Sequence, residues 1–327
     1  MSRIARGLAA LALIVTAGAC SGPDEVKKPV VPDKVTYVTG FGALGRDAFI
    51  WVAVEKGYFR DAGLDVSIEK GAGNVQNLTV LKAGKAQFAA MDFSGGEVLA
   101  GLDRFTEWRA VAAIHQQTLV SIMTTSGTGI TKPADLKGKK IATGKGSVSE
   151  LLFPAFAAKA GLDPKTVKMM PVQATALNQL MAKGSVDALS TFLLSRNALQ
   201  TAAGKEVVVM PYSDYLKNLY GNVIIAQSAL ITSRRDLVKR FTDAALEGLR
   251  YTLDNPQEAA EIMNRIEPSS AIPAAVAEIN TMKPFSVPLG RLDPRRVAAG
   301  IEELTAAGLI KPGLTPEKVA DFSFVPA

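Results

Sequence analysis

VTYVTGFG (residues 35–42) and KKIATGKG (residues 139–146) are two copies of one phrase: an apolar, β-branched run, T-G-x-G, then a helical stretch. The likeness continues outward in the same order. The first helix runs through AFIWVAVEKGYF to the turn AGLD at 62–65, the second through SELLFPAFAAK to AGLD at 160–163. Each turn leads into a short strand, VSIEK or TVKMMP, and then into a helix that stops at Gly84 or Gly184. Apolar residues before both glycines (Leu78, Val80, Leu81; Leu177, Leu180, Met181) recur at helical spacing, as one buried face requires. Each glycine precedes another strand, AQFAAMD or VDALSTF. Landmarks repeated in this order predict two similar lobes. Alternating strands and helices predict an α/β chain with a mostly parallel sheet in each lobe. Ligands of such sheets bind beyond the C-terminal ends of the strands, so two facing lobes predict a cleft.

Gly40, Gly42 and Gly45 also spell G-x-G-x-x-G, and Glu69 closes the next strand about twenty-four residues later. That is the layout of a dinucleotide site. The second copy breaks it, because Ser149 stands where the third glycine belongs. A Gly-rich strand-to-helix turn presents backbone N–H groups to any anionic or polar group, not only to pyrophosphate. An NAD-dependent enzyme is the weaker reading, and no cofactor is expected.

The N-terminus argues the same way. Arg3 and Arg6 precede an apolar, small-residue stretch, Gly7–Ala19, too short to span a bilayer, so residues 1–19 read as a secretory signal peptide. The single cysteine, Cys20, follows directly, in a pattern that resembles the lipobox of bacterial lipoproteins, where the thiol is acylated. Ala17 departs from the Leu usual in that motif. Residues 20–34 read as a lipidated Cys and a polar, Pro-rich flexible tether. Without residues 1–19 the chain has 308 residues, enough for two domains, and its formal charge falls from +6 to +4. Lys and Arg are dispersed, so nucleic acid is not an expected partner. A fold with one cysteine relies on its core rather than on disulfides. The chain reads as exported and held to the cell membrane by lipid, facing the periplasm or the outside.

WVAVEKGYFRDAGLDVSIEKGAG (51–73) with LKAGKAQFAAMD (81–92) resembles the N-terminal lobe of ABC-importer substrate-binding proteins, in the group that takes nitrate, sulfonates, taurine and thiamine-pyrimidine precursors. GITKPADLKGKKIATGKGS (129–147) resembles the opening of their second lobe, and VKRFTDAALEGLRYTLDNPQEAAEIM (238–263) their helical return. The resemblance covers about residues 35–325. It implies a two-lobed periplasmic-binding-protein fold of type II that closes on a small solute and presents it to an ABC permease and its ATPase, acting as a monomer. Lobe one is expected at 35–120 and 228–327, and lobe two with the hinge strands at 121–227. TLVSIMTT (118–125) and NVIIAQSALITS (222–233) are the hinge candidates, and closure by hinge bending is the expected motion.

Ligand residues are expected in loops at strand C-terminal ends. In lobe one these are Phe41, Arg46, Asp47, Asn74, Asp92, Phe93 and Ser94, with Trp51 on the same helical face as Asp47. In lobe two they are Lys145, Ser147, Ser149, Gln173 and Phe192, while His115, Gln117, Tyr220 and Asn222 flank the crossings. Competing roles are plain: Asp47 and both serines suit helix caps, Trp51 suits the core, and Lys145 suits solvent. His115, the single histidine, has no Cys or His neighbour with which to build a zinc site. No nucleophile elbow accompanies it; a yeast relative of this fold makes the thiamine pyrimidine, but the export signal argues against an enzyme here.

Two ligand classes compete. A sulfonate or other small organic anion wants convergent N–H donors and a cation, which Arg46 and Lys145 could supply. A flat aminopyrimidine or similar heteroaromatic wants aromatic walls and carboxylate acceptors, and Asp47, Asp92, Trp51 and Phe192 fit it better. A sensor lipoprotein of the same fold, without transport, is a further alternative.

Overall fold

In the computed structural model, residues 31–325 are described. The expected signal peptide, Cys20 and most of the tether lie outside them. Strand β1 (Asp33–Val38) begins two residues before position 35, where the fold was expected to start. Asp33 is held there by Arg234 and Arg240, whose guanidinium groups lie 3.0 and 2.7 Å from its carboxylate.

The first lobe follows the repeat. β1 leads to α1 (Ala48–Glu55) and the short α2 (Tyr58–Asp61), then β2 (Leu64–Glu69), α3 (Asn74–Lys82), β3 (Phe88–Asp92), α4 (Phe93–Gly101) and β4 (Trp108–Ala113). The second lobe opens with β5 (Val120–Thr125) and β6 (Lys140–Gly144). It continues with α5 (Val148–Lys159), β7 (Lys168–Val172), α6 (Leu177–Ala182), β8 (Ala188–Phe192), α7 (Arg196–Ala203) and β9 (Val207–Pro211). The chain then returns through β10 (Asn222–Gln227) and α8 (Ser228–Ser233) to α9 (Arg235–Asp254) and α10 (Pro256–Ile266). It ends with α11 (Ile272–Met282), α12 (Pro294–Ala306) and α13 (Pro316–Val319).

The two sheets have the same plan, β2-β1-β3-β10-β4 and β7-β6-β8-β5-β9. In each, the fourth strand runs antiparallel to its neighbours, so both sheets are mixed. This departs from the expected division of the chain, which put residues 121–227 in lobe two. β10 pairs with β3 and β4, so it is a sheet-one strand. The segments named as hinges are therefore mostly inner strands of opposite sheets. The chain crosses between the sheets just before each of them, at 114–119 and 212–221. The crossings are bonded to each other: the Thr118 N–H donates to the Leu219 carbonyl (2.9 Å) and that of His115 to Asn222 (2.9 Å).

Apolar packing fixes the helices on both sheet faces. α9 seats Phe241 against Phe88, with parallel rings 3.8 Å apart, and Tyr37 and Phe59 stack around it. Gly248 lets α9 approach α1 closely, since a Cβ there would meet the Phe49 carbonyl and lie 2.8 Å from Ala53. A second buried cluster runs from Met91, Phe93 and Trp108 of lobe one into Phe153, Phe156 and Tyr212 of lobe two. Leu194, just after β8, is buried in the lobe-one cluster with Ala275 and Ile279 of α11. The lobes therefore stand closed on each other. Among the described residues no helix is long and apolar enough to cross a membrane.

Candidate functional site

Loops at the strand ends of both lobes enclose a cavity of about 510 Å³. From lobe one it receives Phe41 and Arg46 of the β1–α1 loop, Asn74 at the start of α3, and Asp92 at the end of β3. Lobe two contributes Lys145, Ser147 and Ser149 around the start of α5, Gln173 after β7, and Phe192 at the end of β8. Asn222, at the first position of β10, lies in register opposite Asp92 and completes the floor.

The acidic wall is built by the local fold. Asp92 caps α4: its Oδ1 accepts the Gly95 N–H (3.0 Å), one of the donors a helix start leaves free. Asn74 grips the same strand end, donating to the Asp92 carbonyl (2.8 Å) and accepting its N–H (3.1 Å). Asp92 Oδ2 is buried without a partner. Burial pushes its carboxyl up to about 6, against the pull of the Gly95 and Ser94 donors.

Arg46 stands among acids. Its Nε is 3.8 Å from Asp47 Oδ2, and its backbone N–H donates to Glu278 Oε2 of α11 (3.3 Å). Burial raises the Glu278 carboxyl and takes that of Asp47 up to about 6, while the Arg46 charge opposes both shifts. The guanidinium lies 5.7 Å from the centre of the Phe192 ring, which reaches it from the other lobe.

Lobe two offers hydroxyls. Ser147 caps α5 by accepting the Glu150 N–H (3.3 Å), and Ser149 Oγ lies 2.8 Å from Ser147 Oγ and 3.0 Å from Thr143 Oγ1. Lys145 is exposed at the rim.

Several expected residues do not line the cavity. Trp51 and Phe93 are core, 2% and 0% exposed, because the helix faces that carry them turn onto the sheet. Asp47 is buried behind the wall; its Oδ1 accepts the Gly40 N–H (3.0 Å) and it makes no side-chain cap. Ser94 donates to the Tyr220 carbonyl (2.8 Å), and the Tyr220 hydroxyl accepts the Asp293 N–H (2.9 Å). Gln117 bonds Ser213 across the crossings (3.1 Å). His115 is buried at the first crossing, where its Nδ1 accepts the Asn222 N–H (3.4 Å). Burial, aided by Arg46, pushes its imidazole down to about 3, so it is neutral at physiological pH.

Sequence reasoning missed Glu278, Thr191, Leu194 and Ser195, which also line the cavity. The last three flank Phe192 at the β8 strand end already in view, but Glu278 carries no local signal. The third glycine of the G-x-G-x-x-G run has a packing cause. A Cβ on Gly45 would run into the Ala275 carbonyl of α11. Among the described residues no group of three metal-ligating side chains exists.

Two lobes closing on a polar and aromatic cavity form the architecture of the periplasmic binding proteins. The chain belongs to the family described as NMT1/THI5 like, whose model matches residues 46–259. It is 23% identical to the riboflavin-binding protein RibY of Chloroflexus aurantiacus, over 96% of this chain and 95% of that protein. It is 25% identical to a formylaminopyrimidine-binding protein of Halalkalibacterium halodurans, over 66% of this chain and 65% of that one. In fold it is similar to the aliphatic sulphonate-binding protein SsuA of Escherichia coli, with a TM-score of 0.72 and 15% identity over 88% of this chain and 97% of that one. The desulfurization enzyme DSZB shares the fold as well, with a TM-score of 0.60 and 17% identity over 89% of this chain and 97% of that one. The fold alone does not separate binding from catalysis.

Proposed function

We propose that this protein is the solute-binding component of an ABC importer, exported and tethered to the membrane through a lipid on Cys20. It closes on a small heteroaromatic nutrient, a pyrimidine or a related nitrogen heterocycle, and delivers it to the permease without chemical change. The observation that carries the ligand class is Asp92, whose buried Oδ2 has no partner, in the wall of a cavity that Phe41 and Phe192 also line. A flat ring with N–H donors supplies the missing hydrogen bond and stacks on the aromatic faces. The binding of formylaminopyrimidine and riboflavin by relatives supports the same class. His115 is buried outside the cavity and held neutral, so no imidazole base faces a solute there, which supports binding rather than catalysis.

A thermal-shift screen of a form starting at Ser21 tests this reading. The panel holds hydroxymethyl- and formylamino-pyrimidines, thiamine, riboflavin, taurine, ethanesulfonate and nitrate. A ligand at a hundred times its Kd stabilises by about 2.7 kcal/mol. At roughly 2 °C per kcal/mol the midpoint rises by several degrees. A rise with a heterocycle is the expected result, and a rise with sulfonates alone contradicts it.

A further inference from the structure

Glu278 lies on α11, beyond the residues 46–259 that match the family, yet it lines the cavity with Arg46. Arg46 is the cation best placed to hold an anionic ligand, since Lys145 sits exposed at the rim. Three carboxyls surround that residue: Asp47 Oδ2 lies 3.8 Å from its Nε, Glu278 accepts its backbone N–H (3.3 Å), and the Arg46 charge acts on Asp92 as well as on Glu278. α11 is pressed onto the β1–α1 loop at Gly45, where no side chain fits beneath the Ala275 carbonyl. That contact fixes the carboxyl of Glu278, one turn further along α11, against the loop that carries Arg46.

We infer that Glu278 is a specificity-determining residue whose carboxyl, held on the backbone of the loop that carries Arg46, offsets the Arg46 charge at the cavity wall and converts an anion site into one for neutral or cationic nitrogen heterocycles. The inference rests on the proposed ligand class and assigns its charge selectivity to one side chain. An anion entering the cavity meets an excess of carboxyls, and such like-charge contacts are an effective means of rejecting a wrong ligand. With the carboxyl replaced by an amide, the guanidinium is left with one acid fewer and can pair with a sulfonate.

The test is calorimetric titration of the full-length protein with 4-amino-5-hydroxymethyl-2-methylpyrimidine and with ethanesulfonate. Wild type, Glu278→Gln and the shortened but still acidic Glu278→Asp are compared, and Glu278→Ala replaces the Gln variant if that fails to fold. Wild type and Glu278→Asp are expected to prefer the pyrimidine. Glu278→Gln is expected to lose about tenfold or more in pyrimidine affinity and gain at least about tenfold for ethanesulfonate. An unchanged preference in Glu278→Gln overturns the inference and leaves the heterocycle reading intact. Wild-type preference for ethanesulfonate overturns both. If wild type binds neither probe, the pyrimidine reading alone fails; a gain of ethanesulfonate binding in Glu278→Gln then upholds the role of Glu278, and no gain overturns it.

Discussion

Asp92 carries a conflict between stability and binding. Its folded carboxyl sits near 6, above the unfolded value of 3.8, so the folded state binds the proton more tightly. Stability therefore falls as pH rises from about 4 to 6, and the full penalty applies above that window. Asn at this position keeps the cap acceptor and removes the charge. Asp92→Asn is expected to raise stability by roughly 2–3 kcal/mol at pH 8 and by almost nothing at pH 4. Urea titrations at the two pH values check this, and equal effects at both would contradict the assignment. The same variant is expected to lose heterocycle binding by about tenfold or more, because an amide donor replaces the Oδ2 acceptor that would meet the ring N–H. Asp92 was legible in the sequence because a polar residue ending an apolar strand has few places to point except the cleft. Trp51 and Phe93 were not, since helical spacing tells which residues share a face and not what covers that face. Glu278 was invisible for a different reason: it meets Arg46 across 232 residues of chain.

At the level of elements, the repeat from β1 to β3 and from β6 to β8 was readable because each strand, turn and helix carries its own local signal. The destination of β10 was not. It is an apolar, β-branched strand, and nothing in such a strand states which sheet will accept it. Chain order placed it in lobe two, whereas it supplies the antiparallel fourth strand of the first sheet. Close approach of α9 to α1 gives a direct test at this scale. Gly248→Ala would place a methyl group 2.8 Å from Ala53 Cβ and against the Phe49 carbonyl. Overpacking of this kind costs about 1–3 kcal/mol. A lowered denaturation midpoint with the same slope is expected, and an unchanged midpoint would mean that the helices have room to separate.

The whole molecule is held shut by direct contacts between the lobes at the cavity wall as well as by whatever the cavity holds. Leu194 of lobe two is 5% exposed within the lobe-one cluster, and the α4 start meets the α5 start at Gly95. A Cβ at Gly95 would stand 2.6 Å from Val148 of the other lobe and 2.6 Å from Asn74. Gly95→Val is a wedge between the lobes and is expected to leave each lobe folded while weakening ligand binding by about tenfold or more, through the lost closed population. Small-angle scattering with ligand present should show a larger radius of gyration than wild type, and a wild-type radius with wild-type affinity would contradict the closure account. Leu194→Ser removes an apolar anchor from the same contact and should shift the equilibrium in the same direction.

The central claim is that the two lobes close on a nitrogen heterocycle, so the most direct measurement is calorimetric titration of the wild-type protein with formylaminopyrimidine at pH 7.5, with ethanesulfonate as the competitor. One-to-one binding that ethanesulfonate does not displace is the predicted result. Binding of ethanesulfonate with no heat from the pyrimidine would contradict it.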